Sequence, residues 1–507
     1  MPVHPPTIGQ LRGIAESFGL ALTDSDLDSF RGLMLPLLAA YTEVERMAEP
    51  APLAPKYPRT PGWRPDPSDN PYNAWYRRCE IPGAADGPLA GKRVAVKDNV
   101  CVAGVPMMNG SATLEGYVPE FDATVVTRTL DAGATIIGKA VCEDLCLSGG
   151  SHTAATGPVL NPADPTRSAG GSSSGSAVLV ATGEADLAIG GDQGGSIRMP
   201  AGWTGIVGHK PTYGLVPYTG IFPIEMTLDH TGPMGPCVAD VAVFLEVLAG
   251  ADGLDPRQPS VVPTDRYSAG LDGDLSGLRI GVLAEGFGVE GRSEDAVDEA
   301  VGDAARRLEK AGAAVGRVSV PMHRAGMALW LAIAMEGATE LMVKGHGMGT
   351  NWKGHYAASL HEAYGRGLRA RANDLADTVK LVMLLGGYVR QGYGGHHYAK
   401  GQNLAPRLRA AYDAVLDEVD VLVMPTQPMR ATPLPAPDAP REEYIGRAFE
   451  MVANTAPFDV TGHPAISVPC QPAGSLPIGL MAVGRHFDDR MVLRVAAAVE
   501  QLGSSGA

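Results

Sequence analysis

The chain is poor in the features that would send its function elsewhere. Six cysteines in 507 residues are too few and too scattered for a disulfide framework. Lys and Arg together number 41 against 56 Asp and Glu, a net charge of −15. That balance argues against a nucleic-acid surface as the main partner. No apolar run approaches the roughly 18 residues needed to span a membrane. Met1-Pro2-Val3-His4-Pro5-Pro6 has neither a basic segment nor an apolar core, so no secretory leader is expected. There is no H-E-x-x-H and no Cys/His quartet, so a metal mechanism lacks ligands. Cys142 and Cys146 could share a helix face, but no histidine cluster accompanies them and buried thiols are the reading. The expectation is a cytoplasmic protein with no membrane or nucleic-acid partner.

What is present is glycine and serine, concentrated in two loops. Ser168-Ala169-Gly170-Gly171-Ser172-Ser173-Ser174-Gly175-Ser176-Ala177 is the first, and Gly190-Gly191-Asp192-Gln193-Gly194-Gly195-Ser196-Ile197-Arg198 is the second. Between them, Val178-Leu179-Val180 and Leu187-Ala188-Ile189 read as buried elements rather than linker. Glycine lets backbone approach a ligand closely, and successive N–H groups can converge on one negative oxygen. Serine hydroxyls beside such donors are the minimum equipment for acyl transfer.

The rest of the chain places these loops in an α/β setting. Residues 7–17 and 23–47 read as helices. Leu27, Phe30, Met34, Leu37, Tyr41 and Val44 form one apolar stripe, Thr23 with Asp26 resembles a capping box, and Pro36 should kink the second helix. This extension, residues 1–50, is followed by a proline-rich connector over 51–75 and a catalytic body over 76–507. In the body, strands are expected near 93–96, 135–137, 187–189, 205–207, 278–282, 314–320, 419–423, 465–468 and 478–483. Helices fall between them, one running from an Asp122 N-cap to Gly133, others near 294–311 and 489–501. Such alternation implies an α/β fold with a large mixed β-sheet flanked by helices. Residues 344–402 fit the pattern poorly and read as helices and loops inserted beside the site.

Four chemistries compete for the Gly/Ser region. A phosphate loop needs Gly-Lys-Ser/Thr, and Gly175 is followed by Ser176-Ala177. Gly171-Ser172-Ser173-Ser174-Gly175 matches the nucleophile elbow with Ser173 central, but loop residues precede it where a strand is required. A Ser–His–acid triad could use His209 or His230. Asp229 and His230, adjacent on a strand, would point apart, so structural histidines are the better reading. Last, Lys97 ends the apolar strand Arg93-Val94-Ala95-Val96, where a dry lysine could serve as a neutral base, although a solvated surface lysine fits the spacing equally well.

Val96-Lys97-Asp98-Asn99, the two Gly/Ser loops and Gly208-His209-Lys210-Pro211-Thr212 together resemble the amidase signature family over residues 75–500. Val105-Pro106-Met107-Met108-Asn109-Gly110 and the stretch from Asn454 to Pro464 are similar to bacterial amidases that act after nitrile hydratase. Ser174 departs from the glycine many members carry there. The resemblance implies Ser196 as nucleophile, Ser172 as bridging serine after a cis Gly171–Ser172 peptide, and Lys97 as base. It also implies an oxyanion hole from the N–H groups of Gln193, Gly194, Gly195 and Ser196, an acyl-enzyme, and no cofactor or metal. Leu147, Leu228, Trp330, Phe449 and Val452 are the expected walls of an acyl pocket without fixed charge. Such a pocket would favour small neutral aliphatic or aromatic amides as the small-molecule partner. Anilides, hydrazides and carbamates remain alternatives, as does the amidase component of a tRNA-dependent amidotransferase. The N-terminal extension favours a stand-alone homodimer.

Overall fold

The computed structural model describes residues 3–51, 53–471 and 474–504; the others, Pro52 of the proline-rich run among them, lie outside it. Two compact units divide the chain, residues 1–52 and 53–507.

The first unit is a helix pair, α1 (Ile8–Ser17) and α2 (Asp24–Arg46). Thr7 with Gln10 and Thr23 with Asp26 both close reciprocal capping boxes, which satisfy N–H groups the first turns leave unpaired. Helix α2 runs on through Pro36. The stripe on α2 is split. Leu27 is buried with Leu11 and Ala15, and Met34 packs against them, whereas Phe30, Leu37, Tyr41 and Val44 are exposed.

Among its described residues the second unit is built on thirteen strands. In chain order they are β1 (Trp75–Pro82), β2 (Arg93–Lys97), β3 (Thr135–Ala140), β4 (Leu160–Asn161), β5 (Asp164–Ser168), β6 (Leu187–Asp192) and β7 (Val207–Lys210). Then come β8 (His230–Gly235), β9 (Arg279–Leu283), β10 (Ala314–Val318), β11 (Val421–Pro425), β12 (Ala465–Pro469) and β13 (Gly479–Val483). Eleven form one mixed sheet in the order β1-β3-β2-β6-β8-β7-β12-β13-β11-β9-β10, and β4 pairs with β5 alone. The contiguous trio β3, β2 and β6 is parallel, and so is β11-β9-β10; the pairs between them are antiparallel.

Apolar runs form these strands because both faces are covered. Successive side chains point to opposite faces, so a strand buried twice over needs no polar alternation. Val94 and Val96 of β2, with Leu187 and Ile189 of β6, join the cluster that includes Val125, Val241 and Val495. Ala95 and Ala188 face the other way, into a cluster with Ala177, Val178 and Leu179. On the far half of the sheet, Val421 and Val423 face the first cluster, and Leu422 and Met424 face Leu408, Tyr412 and Phe458.

One expected boundary fails for a tertiary reason. Asp122 does not cap the helix that follows; α3 spans Thr124–Asp131 with Ala123 at its N-cap. The Asp122 carboxylate instead accepts from Arg59 at 2.6 Å and from the Ala103 N–H at 2.9 Å. The segment 344–402 is mostly helical: α9 (Ala358–Arg371), α10 (Asp377–Tyr393) and the start of α11 (His396–Leu416). Helix α8 (His323–Ala338) continues into a π-helical turn at Thr339–Lys344. Contrary to the expectation from apolar runs, the stretch His323–Lys344 is long and apolar enough to cross a membrane, but 67% of its most apolar window is buried inside the protein.

His323, at the start of α8, is buried with both ring nitrogens engaged, Nδ1 with Tyr412 Oη at 2.7 Å and Nε2 with Asn454 Oδ1 at 3.3 Å. Burial lowers its pKa from 6.5 to about 4. The unfolded chain therefore binds the proton more readily, and stability falls as pH drops from 6.5 to about 4. The contribution is on the order of 3 kcal/mol. In urea unfolding across that range, His323→Gln should lack this share of the acid loss, so the gap to wild type narrows as pH falls. Parallel curves would show that the ring does not titrate in this way.

Candidate active site

The site lies at the C-terminal ends of two neighbouring parallel strands, where open α/β sheets place their ligands. Strand β2 ends in Lys97 and β6 ends in Asp192. The first Gly/Ser loop leads into α4 (Ser174–Ala181), and the second leads from β6 into α5 (Arg198–Thr204). The Gly171–Ser172 peptide is cis. Lys97 Nζ is 2.8 Å from Ser172 Oγ and 3.1 Å from the Gly191 carbonyl, and all three groups are buried. Ser173 N–H donates to the Ser196 carbonyl at 3.2 Å, which fastens the two loops together. The Ser173 hydroxyl is spent on Gly191, donating to its carbonyl at 3.1 Å and accepting from its N–H at 3.2 Å.

Lys97 has no counter-ion. Among the described residues no carboxylate lies within 4.0 Å of its Nζ, because the adjacent Asp98 pairs with Lys139 at 3.0 Å, both fully buried. Asp98 Oδ2 also accepts from the N–H groups of Met108 and Asn109.

The second loop is shaped by Asp192. Its Oδ1 accepts from Gly195 N–H at 2.6 Å, and its Oδ2 accepts from Ile197 N–H at 3.0 Å and Arg198 N–H at 3.3 Å. Arg198 adds a bidentate contact, Nε to Oδ2 and Nη2 to Oδ1, both at 2.9 Å. Burial works against the Asp192 charge, but the guanidinium overrides it and holds the carboxyl far below the usual carboxylate range. Arg198 also reaches Asp459 Oδ2 at 2.7 Å and the Thr455 carbonyl at 3.0 Å. Burial, and then the charge of Asp192, push Asp459 well above its ordinary value. Asp459 Oδ1 lies 3.5 Å from His230 Nδ1, which bonds the Leu228 carbonyl at 2.7 Å. His209 is held by Asp489 at 2.9 Å. Both histidines are buried and structurally engaged, as the sequence indicated.

Gly195 must be removed from the expected oxyanion donors, since its N–H is committed to Asp192. The N–H groups of Gln193, Gly194 and Ser196 meet no protein acceptor among the described residues. Their peptide planes are set from behind. Trp330 Nε1 donates to the Gln193 carbonyl at 2.6 Å, Thr455 Oγ1 to the Gly194 carbonyl at 2.6 Å, and Met199 N–H to the Gly195 carbonyl at 2.7 Å. In a trans peptide the N–H points opposite to the C=O. Trp330 therefore turns the Gly194 N–H away from itself, and Met199 does the same for Ser196.

A cavity opens at these donors. All five residues expected as its walls, Leu147, Leu228, Trp330, Phe449 and Val452, line it together with Ser196, Gln193 and Gly194. Met199, Ile224, Met335, Cys146 and Glu225 also line it and were missed. Met199 stands three residues after Ser196 and was within reach of inference from the motif; Ile224 and Met335 carry no local signal. Glu225 departs from the expected absence of charge. Burial raises its pKa, and its oxygens accept from Thr227 and Tyr398.

A buried lysine against a serine, with unpartnered N–H groups beside a mostly apolar cavity, is an arrangement suited to amide-bond hydrolysis. Comparison with known proteins agrees. The family model Amidase matches residues 73–493, and the chain belongs to the amidase family. It is 47% identical to an enantioselective amidase of Rhodococcus rhodochrous, over 99% of this chain and 96% of that protein. It is 40% identical to a glutamyl-tRNA(Gln) amidotransferase subunit of Haloarcula marismortui, over 84% of this chain and 99% of that protein. The structure of native peptide amidase from Stenotrophomonas maltophilia superimposes with a TM-score of 0.67 at 30% identity, covering 82% of this chain and 84% of that one.

Thr455→Val removes only the hydroxyl that holds the Gly194 carbonyl. The lost bond is worth about 1–1.5 kcal/mol, so kcat should fall about tenfold. KM should hardly move, and Thr455→Ser should restore the rate. Steady-state kinetics on a neutral amide checks this; a change in KM alone would show that Thr455 does not position the loop.

Proposed function

We propose that the protein hydrolyses small neutral aliphatic or aromatic carboxamides to carboxylic acid and ammonia through an acyl-enzyme on Ser196. The observation that carries this reading is the buried Lys97 amine against Ser172, beside a turn where the N–H groups of Gln193, Gly194 and Ser196 meet no protein acceptor among the described residues. Ser172 donates its hydroxyl hydrogen to Lys97 and takes one from Ser196. Ser196 Oγ attacks the amide carbon, and the oxyanion is met by the N–H groups of Gln193, Gly194 and Ser196. The proton held on the relay passes to the departing nitrogen, and ammonia leaves. Water then attacks the ester under the same relay, releasing the acid and restoring Ser196. The apolar walls support a neutral acyl group. The match with the Rhodococcus enzyme supports discrimination between enantiomers.

The same match supports a stand-alone enzyme, because it spans 99% of this chain whereas the match to the amidotransferase relative spans 84%. The exposed Phe30, Leu37, Tyr41 and Val44 of α2 support a homodimer formed through this helix. The free cysteines support a reducing, cytoplasmic setting.

Ser196→Ala should lower kcat by well over about a hundredfold while the thermal midpoint stays near wild type. Retention of more than about a hundredth of kcat would remove Ser196 as nucleophile. Ammonia release should be fastest from propionamide or benzamide; strict use of glutamine, or co-purification with a second protein chain, would favour the amidotransferase reading, and faster turnover of anilides or carbamates would move the leaving group.

Lys97→Arg should be inactive across the accessible pH range, because a guanidinium keeps its proton in a protein. An active arginine variant would exclude Lys97 as the base. Sedimentation at micromolar concentration should give a dimer that Phe30→Glu with Leu37→Glu converts to monomer; a wild-type monomer would end the dimer proposal.

A further inference from the structure

Two thiols stand at the catalytic relay, and the mechanism above uses neither. Cys142 and Cys146 flank the short turn Asp144–Cys146 that follows β3. Both are buried, and both sulfurs lie against one atom: Cys142 Sγ is 3.4 Å and Cys146 Sγ 3.3 Å from Asn109 Oδ1. The other end of that amide, Nδ2, is buried without a partner. Cys146 lines the cavity at Ser196. Between the two cysteines, Glu143 N–H donates to the Ser172 carbonyl at 3.3 Å. The dithiol segment is thus tied to Ser172 through the backbone.

We infer that Cys142 and Cys146 form a peroxide-sensitive dithiol that switches the hydrolase off by closing to a disulfide. Cys146 is the attacking sulfur because it alone of the pair faces the cavity, through which a molecule little larger than water can enter. Its thiolate displaces hydroxide from hydrogen peroxide and becomes a sulfenic acid; the hydroxide takes up the thiol proton as water. The Cys142 thiol then attacks the sulfenic sulfur, its proton leaves with the hydroxyl as a second water, and the S–S bond forms. Two thiols are oxidised and one peroxide is reduced. The local chemistry favours this order. Cys146 is the sulfur reached from the cavity, whereas burial pushes the Cys142 thiol well up. Closure pulls on the segment whose Glu143 N–H holds the Ser172 carbonyl.

The test is peroxide titration of the purified full-length enzyme, followed by amidase rate and by mass mapping without reductant. The expected result is at least about a tenfold loss of rate, recovered by dithiothreitol. It should coincide with loss of two hydrogen masses from the single tryptic peptide that carries both cysteines. In Cys142→Ala the second step is blocked, so Cys146 should accumulate as a sulfenic acid trapped by dimedone. The inference is overturned if the inactivated enzyme keeps this peptide as a dithiol, for instance with oxidation confined to the less buried Cys237. Disulfide closure without loss of rate also overturns it, as does Cys142→Ala that forms no dimedone adduct at Cys146. The mass readout does not depend on the acyl-enzyme reading, so the two can fail separately.

Discussion

The carboxylate of Asp192 is the fixed point of the site. It ends a buried strand, and five hydrogen bonds from the following six residues converge on its two oxygens. A charge so deeply buried persists only because Arg198 meets it in two places and the backbone fills the remaining lone pairs. The result is a turn that cannot relax toward substrate. Trp330, Thr455 and Met199 clamp its carbonyls from the other side. Donors fixed before substrate arrives need not reorganise as charge develops, which is the larger part of what such a turn contributes.

The separation of two buried lysines is a second constraint. Lys97 and Lys139 stand on adjacent parallel strands, and one carboxylate lies near them. Asp98 takes the Lys139 ammonium and leaves Lys97 with neutral partners, a serine hydroxyl and a carbonyl. The division of roles is electrostatic, and neither lysine announces it by residue type.

What could be read in the sequence follows from how local each signal is. Lys97, Ser172 and Ser196 sit in short motifs that carry the family resemblance, and strands such as β2 and β6 are largely apolar, so the amidase family and the α/β frame were legible. The α2 stripe showed its period correctly, but periodicity identifies an apolar face and not what covers it. Asp122 had the right composition for a cap; Arg59, distant in sequence, claims its carboxylate. Gly195 was counted as an oxyanion donor because adjacent glycines look alike in a sequence, and only the position of Asp192 distinguishes them. Glu225 and Ile224 join the cavity through the path of a loop that carries no motif.

Trp330 has two attachments. Its ring lines the cavity beside Ser196, and its indole N–H donates to the Gln193 carbonyl, in the peptide that carries the Gly194 N–H. A change of this side chain therefore reshapes the cavity and loosens that peptide together. Leu147, Leu228, Phe449 and Val452 line the same cavity with hydrocarbon side chains that hold no such bond.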